Sequence, residues 1–233
     1  MSETPREALI VAHGQPSSPE PPEQWLHDFA AAVNQHLPNW TIRAATLAMP
    51  HALERQVFEM SPSSLVFPMF MADGFFVSKM LPNRLSEADL KVLPPLGFLP
   101  DLPDVAAYGI KSALADRNWL QGETHLLLAA HGSAKGPKAA ESAFAFQDAL
   151  SKRFDALEIS VGFVEEEPFI ADAARPLPEQ SLCLPFFALE GDHCRQDIPE
   201  ALEKANFTGI TLPPLGTWPE IAKLAAEAIQ DAR

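Results

Sequence analysis

Two stretches of this 233-residue chain repeat one another in the same order, and this duplication constrains the fold more than any other feature. An apolar run, Ala8 to Ala12, ends in His13-Gly14, and 118 positions after His13 a second run, Thr124 to Ala130, ends in His131-Gly132. Phe29, Val33 and Leu37, at helical spacing, recur as Phe146, Leu150 and Phe154. Pro50, Pro68, Gly74 and Pro82 recur as Pro168, Pro185, Gly191 and Pro199. The P-P-L-G of Pro94 to Gly97 returns at Pro213 to Gly216. A series at nearly constant offset places the repeats at residues 1–118 and 119–233.

Within each repeat, strand-like and helix-like segments alternate. In the first, strands are expected near 8–12, 41–47 and 65–71, with helices following the prolines at 19–22, over 50–60, around 83–90 and over 104–115. In the second, strands are expected at 124–130, 158–164 and 181–189, a helix through Phe146 to Phe154, and a last helix over 219–232. Alternation of this kind implies an α/β chain of two tandem repeats, each a small parallel sheet flanked by helices, with a cleft between the halves. The loops after parallel strands open at one edge of the sheet, where ligands bind. His131 follows the first strand of the second repeat, Glu165 to Glu167 the second, and His193 the third. Topology therefore brings together groups that lie far apart in sequence.

The repeats differ at this edge. Phe76 occupies the position of His193, and the acidic run is expected over Leu47-Ala48-Met49. The site is thus assigned to the second repeat, with the first as its support. His27, His36, His51 and His125 fit exposed helix or loop positions, and Asp197-Ile198-Pro199 has the form of a capped helix start. Cys183 and Cys194 lack metal-site or disulfide spacing, and a small buried or half-buried thiol is the expected role.

Composition excludes several classes of partner. Seventeen basic against 31 acidic residues give a net charge of −14, unsuited to nucleic acid or anionic membranes. No secretory signal or spanning apolar run is evident, so a cytoplasmic protein is expected. The Gly-rich phosphate loops, the G-x-S-x-G elbow and H-E-x-x-H are missing.

A strand ending in His131-Gly132-Ser133, followed by a strand ending P-x-F-x-x-x-G-x-H-x-x-x-D-I-P over Pro185 to Pro199, resembles the class II tetrapyrrole chelatases. The CbiX-type sirohydrochlorin chelatases of cobalamin and siroheme synthesis are the most similar group, in their long, duplicated, flavodoxin-like form. F-V-E-E-E-P, Phe163 to Pro168, resembles their acidic segment. The resemblance implies insertion of a divalent metal into a metal-free tetrapyrrole, Co2+ ahead of Fe2+ or Ni2+. It casts His131 and His193 as metal ligands and proton acceptors, with Glu167 or Glu165 beside them. Ser133, Lys135 and Arg195 are expected to meet the tetrapyrrole, within a basic rim that also includes Lys138 and Arg175. The metal is a substrate, and no permanently bound cofactor is implied.

Overall fold

The computed structural model describes residues 6–134 and 136–232; Lys135, expected at the tetrapyrrole, lies outside the described residues. The chain forms two compact units: Met1–Leu99 with Pro219–Arg233, and Pro100–Trp218. Each holds one four-stranded, wholly parallel sheet covered by helices. The expected α/β architecture of two tandem repeats, each a small parallel sheet flanked by helices, is what the chain adopts.

In the first unit, β1 (Glu7–Ala12), β2 (Thr41–Thr46), β3 (Ser64–Pro68) and β4 (Leu90–Val92) lie in the order β2-β1-β3-β4. They are connected through α1 (Glu20–His36), α2 (Ala52–Phe58) and a turn that runs into α3 (Leu81–Arg84). The strand β1 is buried along its whole length, as a strand covered on both faces must be. Its one carboxylate, Glu7, is 9% exposed and accepts from the Ser61 N–H at 2.7 Å and the Ser64 hydroxyl at 3.3 Å.

The second unit contains α4 (Leu102–Ala115), β5 (His125–Ala130), α5 (Lys138–Ser151), β6 (Glu158–Phe163), α6 (Ile170–Ala174), β7 (Ser181–Pro185), α7 (Ile198–Lys204) and β8 (Ile210–Thr211). The sheet order, β6-β5-β7-β8, copies that of the first unit. Leu126, Leu127 and Leu128 of β5 are fully buried, each worth roughly 1.5–3 kcal/mol against exposure. The last helix, α8 (Glu220–Asp231), belongs to the first unit, where it packs on α1 and β3. Its buried stripe of Ile221, Leu224, Ala225 and Ile229 supplies the apolar contact. In turn α4 packs on α5 in the second unit, where Arg153 binds the Asp104 carboxylate at 2.8 and 3.0 Å. Each unit is therefore completed by the last helix of the other sequence repeat. The division at residue 118 stands as our proposal for the boundary of the duplication.

Four local expectations change, the first being that β3 ends at Pro68 rather than Met71. The helix expected around Asn83 to Leu90 instead begins at Phe76, as a π turn over Phe76–Met80 that continues into α3. The strand β7 stops at Pro185 rather than Leu189, because from Phe187 the backbone is engaged by the Gly216 N–H instead of by β5. His125 is not an exposed loop residue: it opens β5 with a side chain 17% exposed, beside the Ser160 hydroxyl at 3.1 Å. Burial lowers its pKa from 6.5, against the opposing charge of Glu158. Among the described residues, no helix is long and apolar enough to cross a membrane.

Candidate metal centre

In the order β6-β5-β7-β8 the chain leaves β5 for β6 on one side and later returns to β7 on the other. The crevice between the carboxyl ends of β5 and β7 is the switch point of the sheet. His131 directly follows β5, and His193 opens the π turn beyond β7. Their rings meet edge to face with centroids 4.5 Å apart, over the ring of Phe187 at 6.2 and 6.0 Å. Glu165, just past β6, has a carboxylate oxygen 3.9 Å from His131 Nδ1. One ligand atom from each of His131, Glu165 and His193 lies within 4.8 Å of the other two. The three side chains are 45%, 46% and 36% exposed, so the group is open to an incoming ligand.

Local backbone explains how these side chains are aimed. Gly132 has φ +70°, and a Cβ there would come within 2.9 Å of Glu166 Cγ and Phe163 Cβ; Gly14 has φ +76° at the same place in the first unit. Glycine is thus required for the turn that presents each histidine. Glu166 holds the turn from outside, its carboxylate accepting from the Ser133 N–H at 2.6 Å. His131 Nδ1 lies 2.8 Å from the Gly132 carbonyl oxygen, and His193 Nδ1 lies 2.6 Å from the Asp197 carboxylate. Both oxygens accept, so in the neutral imidazole each Nδ1 carries the hydrogen and each Nε2 keeps its lone pair.

Sequence reasoning placed the start of α7 correctly, at Ile198 with Pro199 in its first turn, but misread the side chain of Asp197 as its cap. Asp197 makes no side-chain cap, and its backbone is already helical, with φ −64° and ψ −44°. The helical path starts four residues earlier, where the Ile198 N–H bonds to the His193 carbonyl across the wider π turn. The spacing of His193 and Asp197, four apart, carried the signal, but only once both are known to be helical.

The other expected residues are placed as follows. Glu167 is exposed and outside the converging group. Arg195 lies 3.6 Å from Glu190, and Arg175 binds Asp172 at 3.0 Å. Lys138 begins α5. Cys194 is not in the group: burial pushes its thiol up to about 11, and that of Cys183 to about 12.

The first unit is an internal control. His13 Nδ1 meets the Gly14 carbonyl at 2.8 Å, as in the second unit. Phe76 sits where His193 does, edge to face with His13 at 4.1 Å. The Glu165 N–H donates to the His131 carbonyl at 3.0 Å as the Ala48 N–H donates to that of His13 at 2.9 Å. Ala48, rather than Leu47, is therefore the counterpart of Glu165, one residue off the expected alignment. The π turn is kept, so it belongs to the fold, while the converging imidazole–carboxylate group occurs only in the second unit among the described residues.

With this geometry in place, the relatives become informative. The CbiX family model matches residues 125–232, the part of the chain that carries the histidine pair. A solved structure described as CbiX, the terminal enzyme for biosynthesis of siroheme in denitrifying bacteria, shares 42% identity. It superposes with a TM-score of 0.89 over 98% of this chain and 100% of that one. SirB from Bacillus subtilis with Fe3+ (TM-score 0.77, 12% identity, 97% of this chain and 95% of that chain) shares the fold. So does a multi-domain Deinococcus radiodurans protein with structural similarity to chelatases (0.67, 18%, 96% and 54%). No curated protein sequence matches. A doubled parallel α/β fold with an open histidine–carboxylate group is that of a class II metal chelatase. The chain belongs to the CbiX family of class II tetrapyrrole chelatases.

Proposed function

We propose that this protein inserts a divalent first-row metal into sirohydrochlorin, with the work done in the second unit. The observation that carries the reading is the convergence of His131, Glu165 and His193, one ligand atom each within 4.8 Å, on an open sheet edge. Insertion must bring M2+ to four ring nitrogens and remove two pyrrole protons. Neutral imidazole holds Co2+, Fe2+ or Ni2+ while leaving positions open for the macrocycle. As the metal transfers, a freed imidazole Nε2 becomes a base for a pyrrole proton. Glu165 raises affinity for the cation while it is bound and accepts the second proton when it leaves; Glu167, on the same loop, is the outer alternative. Ser133, Lys135, Lys138 and Arg195 are proposed to meet the substrate carboxylates.

Resemblance of the motifs favoured Co2+ and a cobalamin route. One observation favours Fe2+: the relative 42% identical over its full length is described as the terminal enzyme of siroheme biosynthesis. Both metals go into the test. Sirohydrochlorin is mixed anaerobically with Co2+ or Fe2+ and the protein, and the tetrapyrrole absorbance is followed. Turnover above the protein-free rate, lost in His131→Ala and in His193→Ala, is expected. Stoichiometric binding without turnover would make the protein a carrier. Wild-type rates in His193→Ala would move the site elsewhere.

A further inference from the structure

We propose that Asp197 is a positioning residue of the metal centre, holding His193 in the tautomer and orientation that present its Nε2 lone pair. The inference rests on the chelatase reading above and adds to it a residue that contacts neither metal nor substrate. The Asp197 carboxylate lies 2.6 Å from His193 Nδ1, the short distance of a charge-assisted hydrogen bond. The two side chains are four apart, on one face of the π turn.

Two other roles for Asp197 are removed by the structure. It does not cap α7, because its side chain makes no cap hydrogen bond and its backbone is helical. Nor does the π turn depend on it. The first unit forms the same five-residue turn over Phe76–Met80, with Met80 in the place of Asp197. In that unit the histidine and the carboxylate are both replaced, by Phe76 and Met80, while the turn around them persists. A carboxylate needed for the turn would be present in both units. A carboxylate that serves the imidazole is present only where there is an imidazole.

Among the described residues, His193 is the ion-pair partner of Asp197, and no Lys or Arg lies within ion-pair distance of it. Arg195 is directed to Glu190 at 3.6 Å, and Glu200 to Lys204 at 4.0 Å. His131 is held differently, by the neutral Gly132 carbonyl at 2.8 Å. The two ligands thus have unequal supports, and the anionic one makes His193 the stronger donor to a metal.

The test uses the full chain with Co2+ alone as probe, and the variants Asp197→Met and Asp197→Asn. Methionine is chosen because Met80 occupies the corresponding position in the first unit. Two readouts are taken: Co2+ affinity from visible absorption, and the His193 tautomer from imidazole nitrogen chemical shifts in the metal-free protein. Asp197→Met is expected to bind Co2+ about 10–100-fold more weakly, and its His193 to lose the uniform Nδ1–H tautomer. Asp197→Asn keeps an oxygen acceptor and is expected to restore the tautomer and part of the affinity. The proposal is overturned if Asp197→Met retains wild-type Co2+ affinity, or if its His193 remains wholly Nδ1-protonated. Because the tautomer is measured without metal or tetrapyrrole, that readout fails only with Asp197. Absence of chelation by the wild-type protein fails the functional reading instead.

Discussion

The P-P-L-G pair that marks the duplication makes a mechanical prediction about Gly216. After β7 the chain runs through Phe186 to Asp192 before the π turn, and this loop carries His193. The Gly216 N–H donates to the Phe187 carbonyl at 2.9 Å, pinning the loop. A Cβ at residue 216 would stand 2.2 Å from the Ala188 carbonyl oxygen and 2.5 Å from its Cα. Ordinary contact begins near 3.4 Å, and both obstacles are backbone, so the loop must retreat by on the order of 1 Å. Overpacking of this kind costs roughly 1–3 kcal/mol, and the rigid obstacles put Gly216→Ala toward the upper end, a fall in Tm of roughly 5–10 °C. A ligand misplaced by about 1 Å also loses up to about 100-fold in function.

The first unit supplies the matching control. A Cβ on Gly97 would stand 2.1 Å from the Met71 carbonyl oxygen, in the loop that leads to Phe76. Gly97→Ala is therefore expected to lower stability by a similar amount while leaving Co2+ affinity intact. Thermal unfolding and Co2+ titration of both variants decide the matter. The reasoning is refuted if Gly216→Ala binds Co2+ like the wild type, or if the two variants lose affinity equally.

Two further outcomes are expected. Burial pushes the Glu7 carboxyl upward, but the hydrogen bonds from Ser61 and Ser64 and the charge of Arg43 outweigh it and hold the group below 4.5. Its contribution to stability is thus present above the unfolded value and lost as pH falls through the lower folded value. Glu7→Gln should cost about 1–2 kcal/mol in urea unfolding at pH 7, with the gap closing in acid; a gap constant from pH 7 to pH 3 would refute this. Both cysteines, at about 12 and about 11, should resist alkylation at pH 8 until the protein unfolds. Cys194→Ala should keep wild-type Co2+ affinity, and a large loss would return that thiol to the metal centre.

Which features were legible in the sequence follows from how local their causes are. The long buried strands β1 and β5 stand out because apolar runs closed by His-Gly are a local pattern. The edge strands β4 and β8, three and two residues long, escaped because each is shorter than a periodicity can register. The five-residue helix α6 escaped for the same reason. His131 and His193 were found because the duplication supplied a comparison, with Phe76 marking the position as free to vary. Asp-Ile-Pro was read correctly as the start of α7, but the Asp197 side chain was misassigned as a cap because its actual partner is set by a π turn that leaves no local signature.

Sequence alone determined the doubled α/β plan and the convergence of His131 and His193 at one sheet edge, since repetition and loop order follow from the chain itself. Tertiary structure decided the rest. The exchange of last helices depends on which apolar face meets which sheet, a choice that α4 and α8, alike in pattern, do not encode locally. Glu165 rather than Glu167 meets the histidines because the hydrogen bond to the His131 carbonyl sets the register of one loop. The tautomers of His131 and His193 depend on acceptors 2.8 and 2.6 Å away, and only folded coordinates reveal such distances.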